Sequence, residues 1–564
     1  MIQAKIISSL EKVFIDRNIE TYPALKNLSA LRGERINFQI ATTYVTKGSP
    51  LAYIAPKFMP KLSGELAKYA DLRQIMYVPV TFTHHMLGFD DNYLKTEPGL
   101  YPDVLRPLYY GGTVTFAKDG LNSVWVEINI PKDMSAGSYD FTIEFDGGEY
   151  GQVSSSITIE VIDAVLPDDD IYFTQWFHSD CLANYYNVEV WSDRHFEIIE
   201  NFAKTARRNG INMLLTPVFT PPLDTAVGGE RRTTQLVGVD VTNGKYSFDF
   251  SLLDRWVDML NRCGIEYIEI SHLFTQWGAK HAPKIMATVD GEYKKIFGWE
   301  TDAHSDEYAT FLRTFLPELI AHMKERGDDQ RCFFHVSDEP HKGDEENYQK
   351  SKAIVSDILE GYTIMDALST IEFYNTGIIA HPIPSNSRIK PFLEANIPGL
   401  WTYYCVSQPI EVSNRFHTMP NWRNRSIGMQ MYKYNIAGFL QWGYNFYNNQ
   451  FSGDPINPFY EQSADYAFQG GDAFSVYPAM DGTALESPRL VVFYEALQDI
   501  KAMKLAESYT SHDEVVKAIE NALGKELTFE TCAKSSEIMH RIRSAVNKII
   551  KSPVNILREN FMCH

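Results

Sequence analysis

The feature that most constrains this chain is a change in the rhythm of its apolar residues between positions 165 and 171. Before the change, apolar residues recur at every second position, the pattern of half-buried strands. Ile36, Phe38 and Ile40 share one face, and Val124, Val126, Ile128 and Ile130 share another. A turn at 131–137 follows. Tyr139, Phe141, Ile143 and Phe145 then resume the alternation, and Ile157, Ile159 and Val161 close it. Strands at this spacing, with turns between them, predict an N-terminal antiparallel β-sandwich over 1–165. AVLPDDD at 164–170 reads as the linker.

From Ile171 onward, short apolar runs alternate with amphipathic helical stretches. Strands are expected at IYFTQWF (171), NMLLTP (212), IEYIEIS (265), CFFHVSDE (332), TIEFY (370), LWTYYC (400), AGFLQWG (437) and DAFSVYP (472). Helical patterns at 195–208, 252–263 and 308–324 fill gaps between them. Such βα repeats over 171–485 predict a (β/α)₈ TIM barrel with long loops, a multidomain α/β chain overall. After Ser487 the pattern is helical: Ile538, Ile542, Val546 and Ile549 recur behind the cap candidates Ser535 and Ser536. Residues 486–564 are therefore expected to form a C-terminal helical extension packed on the barrel. A length of 564 residues exceeds what one core supports, in keeping with several domains.

Composition narrows the partners. The formal net charge is −20 and no dense Lys/Arg cluster opposes it, so no nucleic-acid partner is expected. No stretch approaches the length of a membrane span, so no membrane insertion is expected. The six cysteines (Cys181, Cys263, Cys332, Cys405, Cys532, Cys563) include no CxxC pair and support neither a zinc site nor a disulfide framework. MIQAKIISSLEKVF lacks a signal-peptide pattern, so the chain reads as cytoplasmic, although a leader already removed would leave the same reading. Nothing in the sequence bears on oligomeric state.

Chemistry concentrates in CFFHVSDEPH. Phe333, Phe334 and Val336 read as a buried strand, which Asp338 and Glu339 then stop. Two such acids either cap the next helix or serve a site, because burying them idle is costly. The C-terminal ends of barrel strands form the active-site face, which favours the second use. Successive strand residues point to opposite faces, so the strand must end or bulge at Asp338 for both acids to reach one ligand. Trp401, Tyr403 and Tyr404, then Trp442 and Tyr444, follow two later strands, and Trp277 and Trp299 lie on the loop after the third. These aromatics either wall a pocket or fill the core, and alternation forbids Tyr403 and Tyr404 from both facing inward. His272, Gln441 and Asn375 are the polar candidates for ligand hydroxyls, or else satisfied core and loop groups. His335 reads as structural. A set of His335, Asp338 and His341 matches no metal-ligand spacing, so neither metal nor organic cofactor is expected.

HVSDEP, PGLYPDVLRPL (98–108), VWVEINIPKDMSAGSYDFTIEF (124–145), GDAFSVYPA (471–479) and SPRLVVFYEAL (487–497) together resemble glycoside hydrolase family 123, the bacterial β-N-acetylgalactosaminidases and the domain-of-unknown-function set around them. The likeness runs over nearly the whole chain. It implies a retaining exo-hydrolase of β-linked N-acetylgalactosamine on a glycan or glycolipid. Glu339 would be the acid and base, and Asp338 would orient the substrate's own acetamide as nucleophile. The seventh expected strand, AGFLQWGYNFYNN, holds no Asp or Glu to act as nucleophile instead, which agrees with substrate assistance. Two alternatives stay open: a barrel glycosidase on another 2-acetamido or neutral sugar, and a carbohydrate-binding protein without catalysis.

Overall fold

The alternation of the first 165 residues is realised as two five-stranded sheets in a computed structural model that describes residues 2–45, 56–108 and 112–552. The first sheet runs Ile2–Ser8, Arg35–Tyr44, Asn122–Asn129, Ala70–Val80, Gly99–Pro107, each pair antiparallel. The second runs Asn27–Arg32, Gln152–Val165, Gly137–Asp146, Lys57–Ser63, Val114–Thr115. Asn27–Arg32 lies parallel to Gln152–Val165, an exception to the antiparallel pairing. Phe38, Ile40, Val124, Val126 and Ile128 of the first sheet share one core with Phe141, Ile143, Phe145, Ile157 and Ile159 of the second.

The opposite face of the first sheet is polar, yet it too is buried. Asn37, Gln39, Arg73 and Glu127 are almost wholly out of solvent. The C-terminal helix Pro488–Glu507 covers that face and satisfies it: Asn37 donates to Glu495 at 3.0 Å, and Gln498 exchanges hydrogen bonds with the Arg35 backbone at 2.8 Å. The tail, expected on the barrel, thus groups with the N-terminal sheets. One compact unit holds the described residues of Met1–Asp170, Pro409–Tyr434 and Leu485–His564; the other holds Ile171–Gln408 and Asn435–Ala484. In the last helix, Ser536–Lys551, Ser535 is the cap, and Met539, Ile542, Val546 and Ile550 are buried. Ile538 and Ile549 lie at its margin, so the buried stripe is turned from the predicted one by about one residue.

The second unit contains eight parallel strands: β1 Tyr172–Gln175, β2 Met213–Thr216, β3 Tyr267–Ile270, β4 Cys332–Phe334, β5 Thr363–Leu368, β6 His381–Pro384, β7 Trp401–Tyr403 and β8 Gly438–Gln441. β1 lies between β2 and β8, and a Ser385–Tyr403 bridge joins β6 to β7, closing the barrel. Two expected strands need correction, and one strand was not expected. TIEFY is not β5, because Glu372–Asn375 is a short helix. The true β5, TIMDAL, carries a buried Asp366 that interrupts its apolar pattern. β6, HPIP, was missed because two prolines disguise it as a loop; they are tolerated beside the seam where pairing to β7 is reduced to a bridge. DAFSVYP lies outside the eight, so LWTYYC and AGFLQWG become β7 and β8.

Insertions after β2 and β3 build a separate four-stranded sheet from Gly238–Thr242, Lys245–Asp249, Ile285–Val289 and Glu292–Phe297. Among the described residues no helix is long and apolar enough to cross a membrane. The five described cysteines are unpaired, and Cys563 lies outside the described residues.

Candidate active site

β4 ends at Phe334, and the chain then runs through buried His335, Val336 and Ser337 to the two acids. The Asp338 carbonyl accepts from the Trp277 N–H at 3.0 Å, and the Glu339 N–H donates to the Ala367 carbonyl on β5 at 3.1 Å. Glu339 has φ +42°, left-handed backbone that side-chain-bearing residues rarely adopt. The strand has ended and the backbone has reversed, so neighbouring side chains line one pocket instead of opposite faces. The acids do not cap the next helix, Glu345–Val355, because Asp344 holds its cap position.

The pocket is a cavity of about 150 Å³ at the C-terminal ends of the strands, walled by Trp176, Trp277, Tyr403, Trp442 and Phe468. Four carboxyl groups reach it: Asp224, Asp338, Glu339 and Asp472. The Tyr403 hydroxyl donates to Glu339 Oε1 at 2.5 Å. Burial, and then the Glu339 carboxylate beside it, push the Tyr403 phenol well up, so it stays protonated as a donor. Burial and next the Glu339 charge push the Asp338 carboxyl well above the usual range, against the opposing pull of His335. Both influences favour the protonated form of Asp338. Trp442 Nε1 donates to Asp472 Oδ2 at 3.1 Å, and Gln441 Nε2 lies 3.3 Å from Asp472 Oδ1. Gln441 thereby fixes the acid that orients the Trp442 wall.

Beneath the pair the barrel interior is polar. His335 donates from Nε2 to Glu269 at 2.8 Å and from Nδ1 to Asp366 at 3.2 Å. Burial alone would lower the imidazole pKa, but hydrogen bonds and charge from Asp366 and Glu269 outweigh it and push it up to about 10. The two acids thus favour the imidazolium form of His335, while burial pushes the Asp366 carboxyl up as well. Glu269 also accepts from Trp176 Nε1 at 2.7 Å, which ties a pocket wall to this network, while Tyr348 donates to Asp366. His272, His335 and Asp366 bring potential metal-ligand atoms within 4.8 Å of one another. Both His335 nitrogens are already engaged, and its ring stacks on His272 at 4.3 Å and 18°, so the nitrogen lone pairs do not converge on one point.

Of the residues singled out in the sequence, Asp338, Glu339, Tyr403 and Trp442 meet in the pocket, as does Trp277. Seven others lie elsewhere, among them Trp299, edge-on to His281, and Tyr444, whose hydroxyl donates to the Phe202 carbonyl at 2.9 Å. His272 is buried against His335 and Trp176. Trp401 fills the opposite end of the barrel, stacked on Tyr172 at 5.2 Å and pressed so closely on Gly438 that a Cβ there would sit 2.3 Å from the ring. Tyr404 points the other way from Tyr403, edge-on to Phe439, as alternation requires. Gln441 supports Asp472, and Asn375 is exposed on the short helix after β5. Trp176, Asp224 and Asp472 were not anticipated. Trp176 directly follows β1, a position that strand-end reasoning could have reached, but Asp224 and Asp472 sit on loops with no local pattern to mark them.

The family model described as "Glycoside hydrolase 123, catalytic domain" matches residues 176–506. No curated protein matches the chain. Among solved structures, a family 123 glycoside hydrolase from Clostridium perfringens is similar over 99% of each chain, with 18% identity and a TM-score of 0.73. A putative glycoside hydrolase from Bacteroides vulgatus aligns over 85% of this chain and 78% of its own, with 11% identity and a TM-score of 0.29, too low to carry an argument. The first shows that sandwich and barrel recur together in one fold. The family match spans more than half of the sequence and includes the pocket with its acid pair, and the chain belongs to glycoside hydrolase family 123.

Proposed function

We propose that this glycosidase releases terminal β-linked N-acetylgalactosamine with retention of configuration, using the substrate's acetamido group as nucleophile. The observation that carries the reading is the placement of Asp338 and Glu339 side by side in one aromatic pocket. Both acids follow β4, so neither is a nucleophile contributed by a separate strand. β7 supplies no carboxylate either: residues 401–410 contain no Asp or Glu. Glu339, held by Tyr403, protonates the glycosidic oxygen while the acetamide oxygen attacks C1. The C1–O bond breaks and its electron pair leaves with the aglycone. Asp338 accepts a hydrogen bond from the amide N–H and stabilises the oxazolinium charge. An N–H arriving at Asp338 favours its ionised form, which the oxazolinium charge requires. Glu339 then takes a proton from the water that opens the oxazolinium. The Clostridium perfringens relative is described by the hydrolysis of glycolipid glycans, and a glycolipid or oligosaccharide aglycone is the natural extension here.

A panel of aryl β-glycosides tests the substrate, with turnover expected for the GalNAc glycoside and not for sugars lacking the acetamide. A series of N-fluoroacetyl substrates tests the nucleophile: kcat/KM should fall steeply with each fluorine as the amide oxygen loses basicity. A flat series, or a glycosyl ester trapped on a protein carboxylate, would refute substrate assistance. Asp338→Asn should lower kcat about 10²- to 10³-fold, the cost of removing one preorganised electrostatic partner. A thiazoline analogue should bind that variant less tightly than the wild type.

A further inference from the structure

Asp224 is the pocket acid for which the mechanism has no use. It lies on the loop after β2, half-buried, with φ +41°. The surrounding chain holds it firmly. Its N–H donates to Gln276 Oε1 at 2.6 Å, its carbonyl accepts from the Ser452 hydroxyl at 2.8 Å, and its Oδ2 accepts from the Phe451 N–H at 3.1 Å. Among the described residues no hydrogen-bond partner and no cation within salt-bridge distance engages Oδ1, and the side chain lines the cavity. Gln276, which fixes the Asp224 backbone, lines the same cavity. Arg231, the cation whose charge acts on Asp224, is committed to Asp180 at 2.6 Å. Burial pushes the Asp224 carboxyl up to about 6, so at neutral pH it is an ionised acceptor facing the pocket. Oδ1 opens onto the cavity, so its donor comes from solvent or from a ligand group that takes the solvent's place. Sugar hydroxyls are such donors, and a charged acceptor binds them more strongly than a neutral one.

We propose that Asp224 is a specificity-determining residue whose Oδ1 accepts a hydrogen bond from a ring hydroxyl or the C6 hydroxyl of the terminal sugar, so that a sugar lacking or substituted at that hydroxyl is rejected. This rests on the glycosidase reading of the pocket and extends it to the exo mode, because a hydroxyl held by Asp224 cannot also carry a further sugar.

The test is a set of double-mutant cycles. Wild type, Asp224→Ala and Asp224→Asn are assayed on the best aryl β-glycoside and on its 3-, 4- and 6-deoxy analogues, with melting temperatures confirming that the variants fold. In the wild type, one deoxy analogue should lose about 10- to 100-fold in kcat/KM, the usual worth of a hydrogen bond to a charged group. In Asp224→Ala the same analogue should lose less than about 3-fold, because its partner is already gone. Asp224→Asn should fall between the two, keeping an acceptor without the charge. Equal penalties in wild type and Asp224→Ala for every analogue would overturn the proposal, as would a glycosyl ester trapped on Asp224. A wild type that prefers a sugar without the acetamide would overturn the substrate reading but not this one, since the same cycles on deoxy forms of that sugar still decide the role of Asp224.

Discussion

Glu339→Gln is expected to reduce turnover of a natural glycoside about 10²- to 10⁴-fold, the usual contribution of a positioned general acid. The substitution preserves shape. The glutamine carbonyl still accepts from Tyr403, so the φ +42° turn and the pocket walls should persist, and the melting temperature should move little. On the proposed mechanism, what disappears is the proton for the glycosidic oxygen. An alkyl leaving group needs that proton and an activated aryloxide does not, so the defect should shrink as leaving-group acidity rises. Plotting log kcat/KM against leaving-group pKa for both enzymes gives the readout: the variant line should be much steeper and should approach the wild-type line at the most activated substrate. A variant that cleaves the poor-leaving-group substrate at the normal rate would remove Glu339 from the acid role.

His335→Gln should cost stability on a comparable energy scale, about 3–5 kcal/mol, because it deletes the cation from a buried charge cluster and leaves Glu269 and Asp366 uncompensated. All three side chains are sealed from solvent, so no water replaces the lost hydrogen bonds. The pH dependence gives a second check. His335 titrates near 6.5 when unfolded and about 10 when folded, so its stabilisation is fully present below 6.5 and fades as pH rises through 10. Denaturation of wild type and variant across that window should give a stability difference that is flat on the acid side and shrinks on the alkaline side. A loss below about 1 kcal/mol would mean that a neutral His335 satisfies the cluster. Since Glu269 also holds Trp176, the variant should bind a sugar ligand less tightly even where it remains folded.

The legible and illegible parts of the site differ for a physical reason. Asp338 and Glu339 stood out because two charges following an apolar strand conflict with their neighbours. Tyr403 and Trp442 stood out because they follow apolar runs at barrel strand ends. Asp224 and Asp472 gave no such contrast, lying in loops where acids are ordinary. His272 and Gln441 were raised as ligand contacts by position, yet one is packed on His335 and the other is occupied with Asp472. Local sequence cannot tell a polar side chain that faces a ligand from one that faces another side chain.

By itself the sequence determined the two-part architecture, because period-two alternation and βα repetition demand different sheets, and it determined the location of the acid pair. Only the tertiary structure decided the strand count around β5 and β6, where a buried Asp366 and two prolines are tolerated because His335 and a thinly paired seam await them. It also decided that Pro488–Glu507 lies on the polar face of the N-terminal sheet, a face whose residues read as solvent-facing until Glu495 and Gln498 are placed against them. The convergence of both acids in one pocket was likewise a tertiary outcome. Alternation would send them to opposite faces, and the reversal at Glu339 persists because Trp277 and Ala367, distant in sequence, clamp the backbone on either side.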